Sequence, residues 1–246
     1  MIDQTDFKYT RNIYDRFADY YVRKRQDPRQ SFFNNYLSNY QLLKQLGNIK
    51  GKKIVDIGCG AGAFTKSLYD RGAKITGIDF SEKLVTYAKA HYKSIPFSVA
   101  NAKKTPFRNG TFDIAVSNLV AHYFKNLLPL FKETSRILKP GAKFLFSIHH
   151  PFNEVMHPKA SGRGKRVTLL PYFHNDRYSW EMEEIKMISY HHTFTDISTS
   201  LDKAGFLIEV IVESTAPYAG RKIDPAMHAF SNQYPTFCIF SAHKLK

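Results

Sequence analysis

Nine residues, 54–62, constrain this chain more than any others: IVDIGCGAG. Ile54, Val55 and Ile57 flank one acid, Asp56, and the run breaks into glycines at alternate positions, Gly58, Gly60 and Gly62. This pattern predicts a buried strand ending in a tight turn, where a residue without Cβ can take positive φ and let a ligand approach the main chain. Phe64, Leu68 and the stem of Tyr69 then recur at helical spacing, so a helix over 63–71 points its N-terminus back at the loop.

Spacing narrows what the turn can hold. The dinucleotide fingerprint needs glycines at its first, third and sixth positions, and here they occupy the first, third and fifth. Lys66-Ser67 follows, but Thr65 stands where a phosphate-cradling loop needs glycine. A loop for a nucleoside without a pyrophosphate fits these residues better. Asp79 closes a second apolar segment, 74–79, and lies 21 residues beyond Gly58 (79 − 58). A carboxylate there suits the vicinal hydroxyls of a ribose.

Five motifs follow one another along the chain: VDIGCGAG (55–62), GIDFS (77–81), NAKKTPF (101–107), FDIAVSNLVAHY (112–123) and LKPGAKFLFSIHHP (138–151). On these the sequence resembles the class I S-adenosylmethionine-dependent methyltransferases, nearest to the bacterial small-molecule group with the ubiquinone-methyltransferase-type domain. The resemblance covers 52–151 and extends more weakly to 212. It implies a doubly wound, Rossmann-like α/β fold: a mostly parallel seven-stranded sheet whose last strand, 236–243, is antiparallel and enters at the sheet edge. It also implies S-adenosylmethionine as cofactor and S-adenosylhomocysteine as product.

The cofactor residues expected on this resemblance are Asp56, Gly58, Cys59, Gly60 and Gly62 in the first loop, Asp79 and Phe80 after the second strand, Asn101 and Ala102 after the third, and Asn118 and Leu119 after the fourth. Asn101 can accept from the adenine amino group through its amide oxygen; the other reading is a turn-forming Asn. Cys59 reads equally as a small apolar side chain packed under the loop. Asn118 can alternatively just terminate its strand, and Asp113, at that strand's other end, reads as structural.

The chain reads as one domain over 1–246: a helical cap (1–50), the cofactor core (51–152), an insertion (153–188) and the C-terminal part of the sheet (189–246). In the cap, Ile13, Phe17, Tyr20 and Tyr21 share a helical face, and a second helix over 31–46 ends at Gly47. The family resemblance places 14–21 in a lid, which makes Tyr14, Tyr20 and Tyr21 candidates for the site wall. A helix over 127–138, stopped by Lys139-Pro140-Gly141, precedes a fifth strand over 143–148. His149 and His150, at its carboxyl end before Pro151, are the candidates for proton transfer, since imidazole titrates near neutrality. His191 and His192 are expected at the mouth, ahead of a helix over 196–204. The insertion holds Trp180 and the basic run 159–166 and reads as part of the substrate pocket.

Charge and cysteine count set outer bounds. The balance of 36 Lys+Arg against 21 Asp+Glu gives +15, which favours anionic partners. An anionic small-molecule acceptor is the first reading, with RNA, or a role as a non-enzymatic cofactor-binding protein, as alternatives. Two cysteines, Cys59 and Cys238, imply no disulfide framework. No ligand spacing for a metal is present. No apolar run reaches the roughly 20 residues of a membrane span, and the chain is expected to be cytoplasmic. The acceptor atom and the oligomeric state are not specified by these features.

Overall fold

The computed structural model describes residues 2–159, 166–173, 177–182 and 185–246. The cap consists of α1 (Ile2–Arg16), α2 (Ala18–Gln26), a π-helical stretch (Phe33–Asn39) and α3 (Tyr40–Leu46). The helix expected over 31–46 is therefore wider-coiled in its first half, and Gly47 ends it at φ 64°. The core then alternates β1 (Lys53–Ile57), α4 (Ala63–Tyr69), β2 (Lys74–Asp79), α5 (Glu82–His91), β3 (Phe97–Val99), β4 (Phe112–Asn118), α6 (Leu128–Ile137) and β5 (Leu138–His149). After it come α7 (Pro151–Val155), β6 (Met156–Lys159), β7 (Arg166–Leu169), β8 (Arg177–Met182) and β9 (Ile185–Tyr190). The chain closes with α8 (Phe194–Lys203), β10 (Phe206–Glu213), α9 (Tyr218–Ile223), α10 (Pro225–Ser231) and β11 (Phe237–Lys244).

Seven strands form one sheet in the order β10-β11-β5-β4-β1-β2-β3. The last strand, β11, is antiparallel to both β5 and β10, and the remaining pairs are parallel. It does not sit at the edge, as expected, but between β5 and β10. Burial explains this: Cys238, Ile239, Phe240 and Ala242 are all fully buried, as a central strand requires.

Alternation along the strands supplies two apolar layers. Val55, Ile57, Phe144, Phe146 and Phe240 face one layer, against Phe131 of α6 and Leu201 of α8. Ile54, Val116, Leu145 and Ile239 face the other, against Leu42 of α3 and Leu68 of α4. Burying each such side chain stabilises the fold by about 1.5–3 kcal/mol.

Local chemistry moved several boundaries. β5 starts at Leu138, not at 143, and absorbs Pro140 and Gly141 in a register shift opposite Phe112 and Ile114. α8 starts at Phe194 because Thr193 and Asp196 form a reciprocal capping box. The Ser81 hydroxyl caps α5 by accepting the Leu84 amide. Beyond β5, the described part of the insertion forms two antiparallel hairpins, β6–β7 and β8–β9. Most of the basic run 159–166 lies outside the described residues.

Candidate active site

The carboxyl ends of β1, β2 and β4 open into one cavity beneath the cap, where ligands of open α/β sheets bind. Its floor begins at the glycine turn. Gly58 (φ 79°) and Gly60 (φ 53°) both lie in the left-handed region. A Cβ on Gly58 would stand 2.2 Å from Val120 Cγ2, and one on Gly60 would stand 3.3 Å from the Tyr21 hydroxyl. Gly62 serves packing instead, with Phe97, Tyr92 and Ala88 crowding the place of its absent Cβ. Cys59 packs with its Sγ beneath Gly77 and also borders a smaller cavity beside Asp56.

Asp79 is 6% exposed at the end of β2. Its Oδ2 accepts the Gly60 amide at 2.8 Å and its Oδ1 the Ser81 amide at 2.9 Å. Burial pushes its pKa up to about 6 against the pull of these amides. Asp56, 1% exposed, accepts the Thr65 hydroxyl on Oδ2 at 2.6 Å, and its Oδ1 has no partner. Burial raises its pKa to about 7. Asp56 faces a smaller adjoining cavity, shared with Arg25, Asn34, Asn39 and Asn118.

Phe80, Ala102, Asn118 and Leu119 line the main cavity, and Asn101 does not. The Asn101 side chain is exposed and its Oδ1 accepts the Lys103 amide at 2.9 Å, which is the turn-forming role. Asn118 is tied on every side. Its Oδ1 accepts from Ser38 at 2.5 Å and Ser147 at 2.9 Å, and its Nδ2 donates to Asn39 at 2.6 Å, so the strand end and the cap share one polar knot. Leu119 follows with φ 57°, the single non-glycine residue at positive φ among the described residues. Such backbone conformations concentrate at functional sites.

In the cap, Tyr14 and Tyr21 line the cavity and Tyr20 does not. Positions 14 and 21 lie seven apart, two helical turns, whereas 20 and 21 diverge by about 100° around a helix. The Tyr14 and Tyr123 hydroxyls meet at 2.7 Å. Lys24 and Arg25 also line the cavity, and the Arg25 guanidinium carbon lies 4.7 Å over the Tyr21 ring.

The two candidate proton-transfer residues part company. His150 lies outside the cavity lining and its ring is spent on structure: Nδ1 accepts the Phe152 amide at 3.1 Å, capping α7, and Nε2 bonds Glu213 at 2.9 Å. His149 lines the cavity beside Trp180 and Phe237. Its Nδ1 is 2.7 Å from the Tyr178 hydroxyl, and burial lowers its pKa to about 4. Stacked on it at 3.9 Å is His122, 1% exposed, with neither ring nitrogen partnered. Burial and the neighbouring His149 hold His122 well below the usual imidazole range. Its role was not visible in the sequence, where it sits inside an apolar-aromatic motif. His191 and His192 are not at the mouth: His192 Nε2 donates to the Phe124 carbonyl at 2.8 Å, and His191 bonds Glu154 at 2.7 Å.

Among the described residues, no helix is long and apolar enough to cross a membrane, and no group of three or more His, Cys, Asp or Glu side chains is placed to hold a metal ion.

The comparisons with known proteins agree with this geometry. A family model described as a methyltransferase domain matches residues 55–146. A demethylmenaquinone methyltransferase from Lactococcus lactis is 32% identical over 130 residues, 49% of this chain and 52% of that protein. This match therefore spans about half of the relative's length. One of the same name from Chlorobaculum parvum is 27% identical over 80% of this chain and 83% of its own. The crystal structure of an S-adenosylmethionine-dependent methyltransferase from Mesorhizobium loti superposes with a TM-score of 0.72 at 26% identity, covering 84% of this chain and 98% of that one.

Proposed function

We propose that the chain is a class I S-adenosylmethionine-dependent methyltransferase, a reading supported by the methyltransferase-domain match and the relatives, and that it transfers a methyl group to an O, N or C atom of a small-molecule acceptor seated between the cap and the His149–Trp180 wall. The observation that carries this reading is the continuity of one cavity from Asp79 and the glycine turn, past Asn118 and Leu119, to His149, Trp180 and Phe237.

The residues present fit the cofactor. Gly58 and Gly60 line the cavity with positive φ, and Asp56 Oδ1 is a buried acceptor without a partner among the described residues. Asp79 would take the ribose hydroxyls: its two oxygens offer about four acceptor sites, more than its backbone amide bonds occupy. Gly58, Gly60, Phe80, Ala102, Asn118 and Leu119 would form the rest of the cradle. When bound, S-adenosylmethionine supplies a methyl group on a sulfonium, an already activated leaving group.

The protein's part is placement and exclusion of water. Tyr14, Tyr21 and Tyr123 from above, with Phe237 and Trp180 from the far side, give the acceptor a largely aromatic enclosure. Holding two reactants in attack geometry can supply roughly 7–11 kcal/mol of the barrier. Lys24 and Arg25 bring positive charge to the lining, which suits an acceptor with an anionic group. The small-molecule acceptors printed in the relatives' names support the same class of substrate.

Calorimetric titration with S-adenosylmethionine, S-adenosylhomocysteine and NAD, followed by a methyl-incorporation screen across anionic and neutral metabolites, tests the proposal. Binding of both sulfur nucleosides but not NAD, with turnover of a small acceptor, is expected. Tight cofactor binding with methyl incorporation into RNA alone would overturn the acceptor class.

A further inference from the structure

His149 does not end at Tyr178. The Tyr178 hydroxyl, carried by β8 of the insertion, also lies 2.8 Å from Glu154 Oε1 on α7. Glu154 Oε2 lies 2.7 Å from His191 Nδ1, and His191 Nε2 lies 2.8 Å from the Tyr172 carbonyl. Counting protons along this row gives it a direction. A carbonyl only accepts, so His191 Nε2 carries a hydrogen. One proton then lies between His191 Nδ1 and Glu154 Oε2, and on either atom it leaves Oε1 to accept. Tyr178 therefore donates to Glu154, and its oxygen accepts from His149 Nδ1–H. That leaves the lone pair of His149 on Nε2, for which no hydrogen bond is found among the described residues, in the residue that lines the cavity.

A second feature points to a ligand at the same place. His122, stacked on His149, is a buried ring that lines the same cavity, and neither of its nitrogens has a hydrogen-bond partner among the described residues. Leaving such groups unsatisfied is costly, so a polar substituent of the bound molecule has a partner waiting there.

Building on the methyltransferase reading, we propose that the methyl acceptor is a hydroxyl-bearing molecule, that its O–H is received by His149 Nε2, and that Tyr178 and Glu154 are the positioning residues that fix the ring for this. In the transfer the acceptor's O–C bond forms as the donor's S–C bond breaks, with that electron pair staying on sulfur. The O–H electrons stay on oxygen, and the proton passes to Nε2 and then to water. The positive charge lost from sulfur is thereby matched by the charge gained on the imidazole, next to the Tyr178–Glu154 pair. The groups facing His149 are His122 from the turn after β4, Tyr178 and Trp180 from β8, Glu154 from α7 and Phe237 from β11. Of these, Glu154 is the one carboxyl, 3.8 Å from Nδ1.

The test is long-range ¹H–¹⁵N correlation on protein labelled in its histidines and saturated with S-adenosylhomocysteine, with His149→Gln used to assign the signal. Calorimetry of S-adenosylhomocysteine comes first, so that absence of binding removes the methyltransferase reading, while the tautomer is still read in the free protein. We expect His149 in the Nδ1–H form in the wild type and in Glu154→Gln, whose amide oxygen still accepts from Tyr178. Loss of the fixed tautomer is expected in Tyr178→Phe. An Nε2–H tautomer in the wild type, or an unchanged one in Tyr178→Phe, overturns the assignment. Phenol is then titrated against anisole, the same ring without a donor: a shift of His149 Nε2 with phenol alone is expected, and equal shifts or none with phenol overturn the hydroxyl class.

Discussion

The Asp79 carboxylate accepts the Gly60 amide at 2.8 Å, fastening the turn after β1 to the end of β2. The acid proposed to meet the ribose thus also shapes the turn proposed to receive the nucleoside. Asp79→Asn keeps one acceptor oxygen but replaces the other with a donor that opposes the Gly60 amide. We expect S-adenosylhomocysteine affinity to fall at least about tenfold, in line with loss of a charge-assisted bond. Unchanged affinity by calorimetry would place the nucleoside elsewhere.

The raised pKa of Asp79 predicts a pH dependence of known sign. A carboxyl whose folded pKa, about 6, exceeds its ordinary value of 3.8 stabilises the ligand-free fold fully at low pH and loses that contribution as pH rises through about 6. The difference amounts to roughly 2 kcal/mol between pH 4 and 7. The lowered pKa of His149, about 4, acts in the opposite direction, removing stability as pH falls below about 6.5. Comparing melting temperatures of wild type and Asp79→Asn across this range isolates the first contribution: the variant gains relative to wild type as pH rises. Nucleoside binding, which favours the carboxylate, should release protons near pH 6, read as buffer-dependent heats.

Val120 closes over Gly58 so tightly that no Cβ fits. Gly58→Ala is expected to destabilise by roughly 1–3 kcal/mol, from strain at positive φ together with overpacking. Adding Val120→Ala should restore the packing part and leave the backbone part. Denaturant melts of the two variants separate them, and full recovery in the double variant would deny the backbone cost.

His122 makes no hydrogen bond, so His122→Phe removes buried unsatisfied groups and retains a ring against His149. The expected result is a melting temperature equal to or above the wild type, with reduced turnover of the acceptor. A drop in stability without a change in turnover would assign this ring to packing.

Asn118 ties β4 to the cap through Ser38 and Asn39. Asn118→Ala should cost about 1–3 kcal/mol by leaving buried polar partners unmet. The cap should loosen first, seen as faster amide exchange over 33–46 than over β1. Uniform loss of protection would mean that the knot serves the whole fold.

Much of the architecture was legible because it depends on local periodicity. Alternating apolar residues around Ile54–Ile57 and Phe112–Asn118, glycine after the first strand and Ser81 before α5 each specify an element from a few neighbouring residues. The mostly parallel seven-stranded sheet with one antiparallel strand followed from the family resemblance of the motifs, and the turn after the first strand and the acid ending the second were read in place. Placement of Gly62, Asn101 and Tyr20 was another matter, because one residue of offset turns a position from the cavity to the core or the solvent. The interior position of β11 also lay beyond local reading, since the order of strands in a sheet is settled by which faces must be buried.

The sequence by itself therefore determined the glycine turn and its buried acid, since both are neighbours of the strands that carry them. Only the tertiary structure decided the acceptor side, where His122, His149, Tyr178 and Glu154 arrive from four separate elements. Side chains that far apart along the chain leave no spacing to read, and what binds them into one site is packing and the direction of shared protons.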